Sequence, residues 1–257
     1  MVQPAIVKEK VELFVADGTR MAAYTARPEE ARPEKPCPGE VRPEEARPDD
    51  AARHPGLLLF QEAFGVNHHI RSVADRFAAA GYVVIAPEMF HRTAPPGFEA
   101  SYTDFPAVMP HLQAMTPETM EMDIRSSYDW LGSNANADPN RISSVGFCMG
   151  GRASYLANSV VALSAAVSFY GGGIAPTVLD RAPRQQAPLL LIWGGLDKHI
   201  TPQHRKAVTD ALSAAQKNYV NVEFSAADHG FFCDERASYE PRSARQAWAL
   251  MLEFLRS

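Results

Sequence analysis

Arg141-Ile-Ser-Ser-Val-Gly-Phe-Cys-Met-Gly-Gly-Arg152 is the stretch that decides how this chain folds. A short strand-like run, Arg141 to Val145, feeds a Gly-x-Cys-x-Gly turn centred on Cys148, and a helix rich in small residues starts at about Met149. This is the layout of a nucleophile elbow with cysteine in the place more often held by serine. A nucleophile on a strained strand-to-helix turn needs neighbours without a Cβ, because backbone closes in from both sides. The following helix points its N-terminal amides at the sulfur and so favours a thiolate or an oxyanion beside it. A buried cysteine in an ordinary Gly-rich turn is the plainer reading of these residues, and it is decided only by what surrounds them.

On the N-terminal side, Gly56-Leu-Leu-Leu-Phe60 and Tyr82 to Ala86 are continuous apolar runs suited to strands covered on both faces. Between them, Asn67 to Ala80 reads as a helix with Ile70, Val73, Ala74 and Phe77 on one side, ended by Gly81. A Pro-punctuated excursion from Pro87 to Pro117 is too long for a plain connection and is expected to cover a site. Pro117 then opens a helix through Met120, Ile124 and Leu131. On the C-terminal side follow strands at Leu163 to Tyr170, Pro188 to Trp193 and Asn221 to Phe224. Helices at Pro202 to Ala215 and Arg242 to Leu255 complete the chain. The N-terminal runs Val11 to Phe14 and Met21 to Thr25 flank Asp17-Gly18 and read as a hairpin. Alternating apolar strands and helices imply one α/β domain, residues 1–257, with a mostly parallel sheet wrapped by helices on both faces.

One segment departs from this pattern. Residues 27–53 contain almost no large apolar side chain, and Arg27-Pro-Glu-Glu-Ala-Arg-Pro33 recurs as Arg42-Pro-Glu-Glu-Ala-Arg-Pro48. Such a charged, Pro-rich insertion cannot bury enough surface to offset its ordering entropy, so it is expected to be an exposed loop or arm.

The totals narrow the function. A net charge of −5 leaves no basic excess with which to neutralise phosphates, so nucleic acid is not the expected partner. No apolar run approaches a membrane span, and the polar start, with Lys8, Glu9, Lys10 and Glu12, lacks a signal-peptide core. Cys37, Cys148 and Cys233 are far apart and odd in number, as free thiols of a cytoplasmic protein would be. His68-His69 has no third ligand at a recognisable spacing; it reads as a water-exposed helix N-terminus, and no metal is expected.

Functional residues of a parallel sheet lie just past the carboxyl ends of its strands. Inspecting those positions yields Gln61 and Glu62, then Glu88, His91 and Arg92, then Cys148, then Asp197, and finally Asp228-His229-Gly230. The order Cys148, Asp197, His229 is nucleophile, acid, histidine, as in α/β-hydrolases. The thiol needs a base within reach, and the base needs a carboxylate to hold its tautomer. Taken singly, Asp197 could instead cap the helix entered at Thr201-Pro202, and His229 could be an ordinary loop histidine. Three matched residues at three strand ends in that order favour the triad.

These residues resemble the dienelactone hydrolase, or carboxymethylenebutenolidase, family of α/β-hydrolases. The resemblance is carried by Gln61-Glu-Ala-Phe-Gly-Val-Asn67, Gly81-Tyr-Val-Val-Ile-Ala-Pro-Glu-Met-Phe90, Gly146-Phe-Cys-Met-Gly-Gly151, Gly194-Gly-Leu-Asp197 and His229-Gly-Phe231, and spans residues 10 to 256 apart from the insertion. It implies hydrolysis of a small ester or enol-lactone through a cysteine acyl-enzyme, without cofactor, by a monomer or homodimer. It further implies that Glu62 assists deprotonation of Cys148, that the amides of Ala63 and Met149 form the oxyanion hole, and that Phe64 and Phe231 contact substrate. Arg92 matches one of the two arginines with which founding members grip a substrate carboxylate. The position of the second is Cys233 here, with Arg236 nearby as a replacement. A small-ester or thioester hydrolase with an apolar acyl preference is the alternative enzyme reading, and a catalytically idle module binding a small carboxylic acid is the alternative of another class.

Overall fold

The computed structural model describes residues 4–29 and 53–257. Its centre is an eight-stranded sheet in the order β1-β2-β4-β3-β5-β6-β7-β8. The strands are β1 (Ile6–Phe14), β2 (Arg20–Pro28), β3 (His54–Phe60), β4 (Val83–Pro87), β5 (Ala137–Phe147), β6 (Ala166–Phe169), β7 (Leu189–Gly194) and β8 (Tyr219–Phe224). From β4 to β8 every pairing is parallel, while β1 and β2 form an antiparallel hairpin joined to β4. The apolar runs become interior strands because only there are both faces covered: every residue of β4, β6 and β7 is buried.

Among the described residues, six helices flank the sheet: α1 (His68–Ala79), α2 (Phe105–Ala114), α3 (Pro117–Ser133), α4 (Met149–Val160), α5 (Pro202–Ala214) and α6 (Pro241–Phe254). Their starts follow local chemistry. Asn67 accepts a hydrogen bond from the Ile70 amide at the head of α1, Thr116 and Thr119 form a reciprocal cap for α3, and Thr201 accepts from His204 at α5. Thr201, rather than Asp197, is therefore the cap of α5. Aromatic rings of Phe147, Phe169, Tyr170, Phe231 and Phe232 pack into one continuous cluster beneath the carboxyl ends of β5 and β6.

Two elements depart from the sequence reading. The excursion after β4 contains α2, which two prolines, Pro106 and Pro110, hide from a helical pattern. It forms because Asp104 caps it and Val108 is buried in a satellite cluster with Ala63 and Phe64. The chain after Gly173 makes two short helical turns, Ile174–Val178 and Leu179–Arg184, before β7. The insertion expected at 27–53 begins later than its composition suggests. Arg27 and Pro28 are the last residues of β2, paired with Val7 and Ile6. Residues 30–52 of it lie outside the described residues.

The register shows what a shorter connection must span. Ala26 pairs with Val84 and Gly56 with Val83, so β2 ends and β3 begins at the same end of the sheet with only β4 between them. Two strand spacings amount to about 10 Å, within reach of the four residues Glu29 and Ala51–Arg53, which extend to roughly 13 Å. Deleting residues 30–50 is therefore expected to leave the melting temperature and esterase rate nearly unchanged. A large loss of either, read by calorimetry and p-nitrophenyl acetate hydrolysis, would show that the segment packs on the core.

Candidate active site

Cys148 stands between β5 and α4 with φ 57° and ψ −117°, a conformation that a non-glycine residue adopts only under constraint. The constraint is visible on both sides. Its amide donates to the Phe169 carbonyl at 3.0 Å, and its carbonyl accepts from Gly151 at 3.0 Å and Gly172 at 3.1 Å. The turn closes so tightly that a Cβ on Gly146 would lie 1.9 Å from the Gly150 carbonyl, and one on Gly150 would lie 2.4 Å from the Phe60 and Gln61 carbonyls. The flanking glycines are thus a packing requirement, and they seat α4 directly on the end of β3.

The residues expected to complete a triad lie past two other strand ends, Asp197 after β7 and His229 after β8. His229 Nδ1 lies 2.8 Å from Asp197 Oδ2, and the remaining Asp197 oxygen accepts from the amides of His199 at 2.8 Å and Ile200 at 3.0 Å. Those bonds fix the carboxylate. Burial works against its ionisation, but the bonds from His229, Ile200 and His199 win and hold its pKa below the usual carboxylate value. Burial would likewise push His229 down. The charge of Cys148 and hydrogen bonding to Asp197 and Cys148 outweigh it and raise the imidazole from 6.5 to about 10. Tyr170 lies against the His229 ring with centroids 5.0 Å apart, and His199 lies on it at 5.3 Å.

The two amides expected to stabilise an oxyanion, on Ala63 and Met149, belong to buried residues and donate to no acceptor among the described residues. The Ala63 loop is held from above by the segment after β4. Ala100 donates to the Phe64 carbonyl at 3.2 Å, and the Phe64 and Tyr102 rings meet edge to face at 4.8 Å. The long excursion thus packs on the loop that carries Ala63 and Phe64.

Glu62 is 1% exposed. Its Oε1 accepts from Arg236 Nη1 at 3.2 Å, and its buried Oε2 has no partner among the described residues. Arg236 reaches it by lying over Gly230, where a Cβ would sit 2.3 Å from the guanidinium, and by covering the Phe64 ring at 5.6 Å. The charge on Glu62, with those of Tyr170 and Cys148, raises the Arg236 pKa despite burial. Sequence proximity suggested Arg236 only as a replacement, and the structure brings it to the centre of the site.

Other expected residues are placed differently. Arg92 makes a two-pronged bond to the fully buried Asp123, at 2.9 and 2.8 Å, and a third bond to Asp17 at 2.7 Å. It ties the β1–β2 turn to α3, a use of the guanidinium that no spacing rule announces. Phe231 is fully buried against Phe169, Tyr170 and Phe224, so it supports the loop of His229 from behind rather than lining a substrate surface. His68 is exposed as expected, but His69 is only 3% exposed, packed edge-on to Phe147 and Phe232. Burial pushes its imidazole below the ordinary value. In the sequence Tyr170 is only the end of a strand. Its φ of 36° and its fully buried hydroxyl, which has no partner among the described residues, are properties that only the fold reveals.

Comparisons with known proteins find similar chains. The model of the family described as "Dienelactone hydrolase family" matches residues 44–257. A Synechocystis protein named "Putative carboxymethylenebutenolidase" is 35% identical over 207 residues, covering 76% of this chain and 83% of its own. An Escherichia coli O157:H7 protein of the same name is 32% identical, with 94% and 84% covered. Among solved structures, one from Klebsiella pneumoniae titled as a "Putative Dienelactone Hydrolase" superposes with a TM-score of 0.83 at 29% identity, over 98% of this chain and 99% of that one.

The charge balance around His229 gives a direct expectation. Its folded-state pKa lies above 6.5, so the protonated ring's contribution to stability is complete below about 6.5 and is lost as pH rises through about 10. Cys148→Ala removes the charge and hydrogen bond that raise it, leaving burial opposed only by Asp197. Imidazole NMR should find the His229 pKa far below 10 in that variant, with the alkaline loss of stability shrinking accordingly. A value still near 10 would show that Cys148 does not act on the ring.

Proposed function

The chain belongs to the dienelactone hydrolase family of hydrolases, and from that premise we propose that it cleaves a small ester or enol-lactone through an acyl-enzyme on Cys148. The observation that carries this reading is the Cys148 elbow facing a His229 that is itself held by Asp197 at 2.8 Å. That arrangement supplies a nucleophile, a proton carrier and a tautomer lock in one place.

In the first half-reaction the Cys148 sulfur attacks the substrate carbonyl, and the developing oxyanion is met by the amides of Ala63 and Met149. Each such preorganised donor is worth about 3 kcal/mol of barrier. The carbonyl re-forms as the C–O bond breaks, and the imidazolium of His229 gives its proton to the leaving alcohol or enolate. The neutral ring next takes a proton from water, the resulting hydroxide attacks the thioester, and the sulfur leaves as thiolate beside the re-formed imidazolium. No cofactor enters. Glu62 is the additional acid–base group. In this structure it is turned to Arg236; a substrate carboxylate that takes the Arg236 guanidinium releases Glu62 toward the thiol, coupling substrate arrival to nucleophile activation.

The carboxylate-binding role thus passes from Arg92 to Arg236, which sits among Glu62, Phe64 and Tyr102. Replacing Arg236 by Gln should lower the ratio of kcat/KM for carboxylate-bearing over neutral lactones by about tenfold or more, the size of a lost charge-assisted hydrogen bond. Arg92→Ala should leave the ratio unchanged while destabilising the fold by about 3 kcal/mol, because it strips a partner from buried Asp123. The opposite pattern, with selectivity following Arg92, would return the clamp to that residue.

The nucleophile is tested by Cys148→Ser. A hydroxyl is far less acidic than a thiol, so hydrolysis of p-nitrophenyl acetate should fall at least a hundredfold with the melting temperature retained. Wild-type rates in the serine variant, or in Cys148→Ala, would reduce the elbow to a structural turn.

A further inference from the structure

The loop that carries His229 and Arg236 also holds Cys233 and Asp234, and both meet His69 on the first turn of α1. The mechanism uses none of the three. One ligand-capable atom from each lies within 4.8 Å of the others. From this juxtaposition we propose that His69, Cys233 and Asp234 form a binding site for a divalent transition-metal ion of the zinc class.

The separations argue for it. His69 Nδ1 and Asp234 Oδ1 are 3.4 Å apart, too long for a good hydrogen bond. Two ligands held about 2.05 Å from one tetrahedral ion stand roughly 3.4 Å apart. A sulfur at about 2.3 Å from the same ion stands roughly 3.6 Å from either. The 4.8 Å limit on the group therefore leaves a movement of about 1 Å to close the set, within what a side-chain rotation delivers.

The donors also match. Imidazole and thiolate suit zinc-class ions, and a carboxylate completes a three-residue set with a fourth position for water. His69 is 3% exposed, with its ring clamped edge-on by Phe147 and Phe232, so it is already oriented. Cys233 is fully buried and donates its S–H to the Tyr102 hydroxyl at 3.2 Å. Asp234 is 69% exposed and gives an ion its way in from solvent. On binding, the sulfur–hydrogen bond gives way to a sulfur–metal bond and the proton passes to solvent. The bound ion clamps the loop of His229 and Arg236 to α1, whose cap, Asn67, ends the Ala63–Val66 loop.

Cobalt(II), a zinc stand-in with visible spectra, tests this. Cys148 beside His229 could also take cobalt, so the experiment uses the full chain with Cys37→Ser and Cys148→Ala, leaving Cys233 as its one thiol. One equivalent of cobalt(II) should produce a near-ultraviolet sulfur-to-cobalt band with tetrahedral visible bands, and zinc should displace it and raise the melting temperature. Asp234→Asn alters an exposed side chain and so preserves the fold. It should weaken cobalt binding at least tenfold, and Cys233→Ser should abolish the ultraviolet band. Absence of that band in the parent, or binding unchanged by Asp234→Asn, would overturn the site. Neither result bears on Cys148 as nucleophile, which this background lacks.

Discussion

The left-handed turn at Cys148 is the constraint on which the rest of the structure depends. A side chain at φ 57° persists only if its surroundings over-determine it. Here β6 accepts the Cys148 amide hydrogen bond, the glycines let α4 descend onto the end of β3, and the Cys148 carbonyl is held by Gly151 and Gly172. Parallel pairing of β3, β5 and β6 is what makes these anchors available at one level. Tyr170, which follows β6, also takes a positive φ, 36°, so a second constrained residue lies beside the turn.

Around that turn the charges form two connected pairs. Asp197 holds His229, which answers to Cys148, and Arg236 holds Glu62, which lies one residue before Ala63. His229 and Arg236 belong to one loop, seated on the buried Phe231 and Phe232. Packing behind the loop therefore sets the positions of both cations at once. In the proposed reaction a substrate carboxylate competes with Glu62 for Arg236, which would link recognition of the substrate to the chemistry of the thiol.

Much of this was legible in the sequence because it is written locally. The elbow and the apolar runs of β3, β4 and β7 each follow from short-range patterns, and strand ends then nominate Glu62, Cys148, Asp197 and His229. What stayed hidden depends on contacts between distant residues. Arg92 is claimed by Asp17 and Asp123 from separate elements, and α2 forms over two prolines because its apolar side completes a satellite cluster. His69 looked like an exposed helix start, yet its environment is built by Phe147, Phe232 and Asp234, far along the chain. Arg236 is conspicuous only once Gly230 lets it fold back onto Glu62.

The central claim is that the reaction passes through a thioester on Cys148. Rapid acid quenching of the wild-type enzyme during hydrolysis of a slowly deacylating ester, followed by peptide mass spectrometry, observes that species itself. The account predicts an acyl group on the peptide containing Cys148, appearing at the rate of the first product burst and decaying with turnover. An acyl group on Cys233, or full turnover with no acylated peptide at any time point, would contradict it.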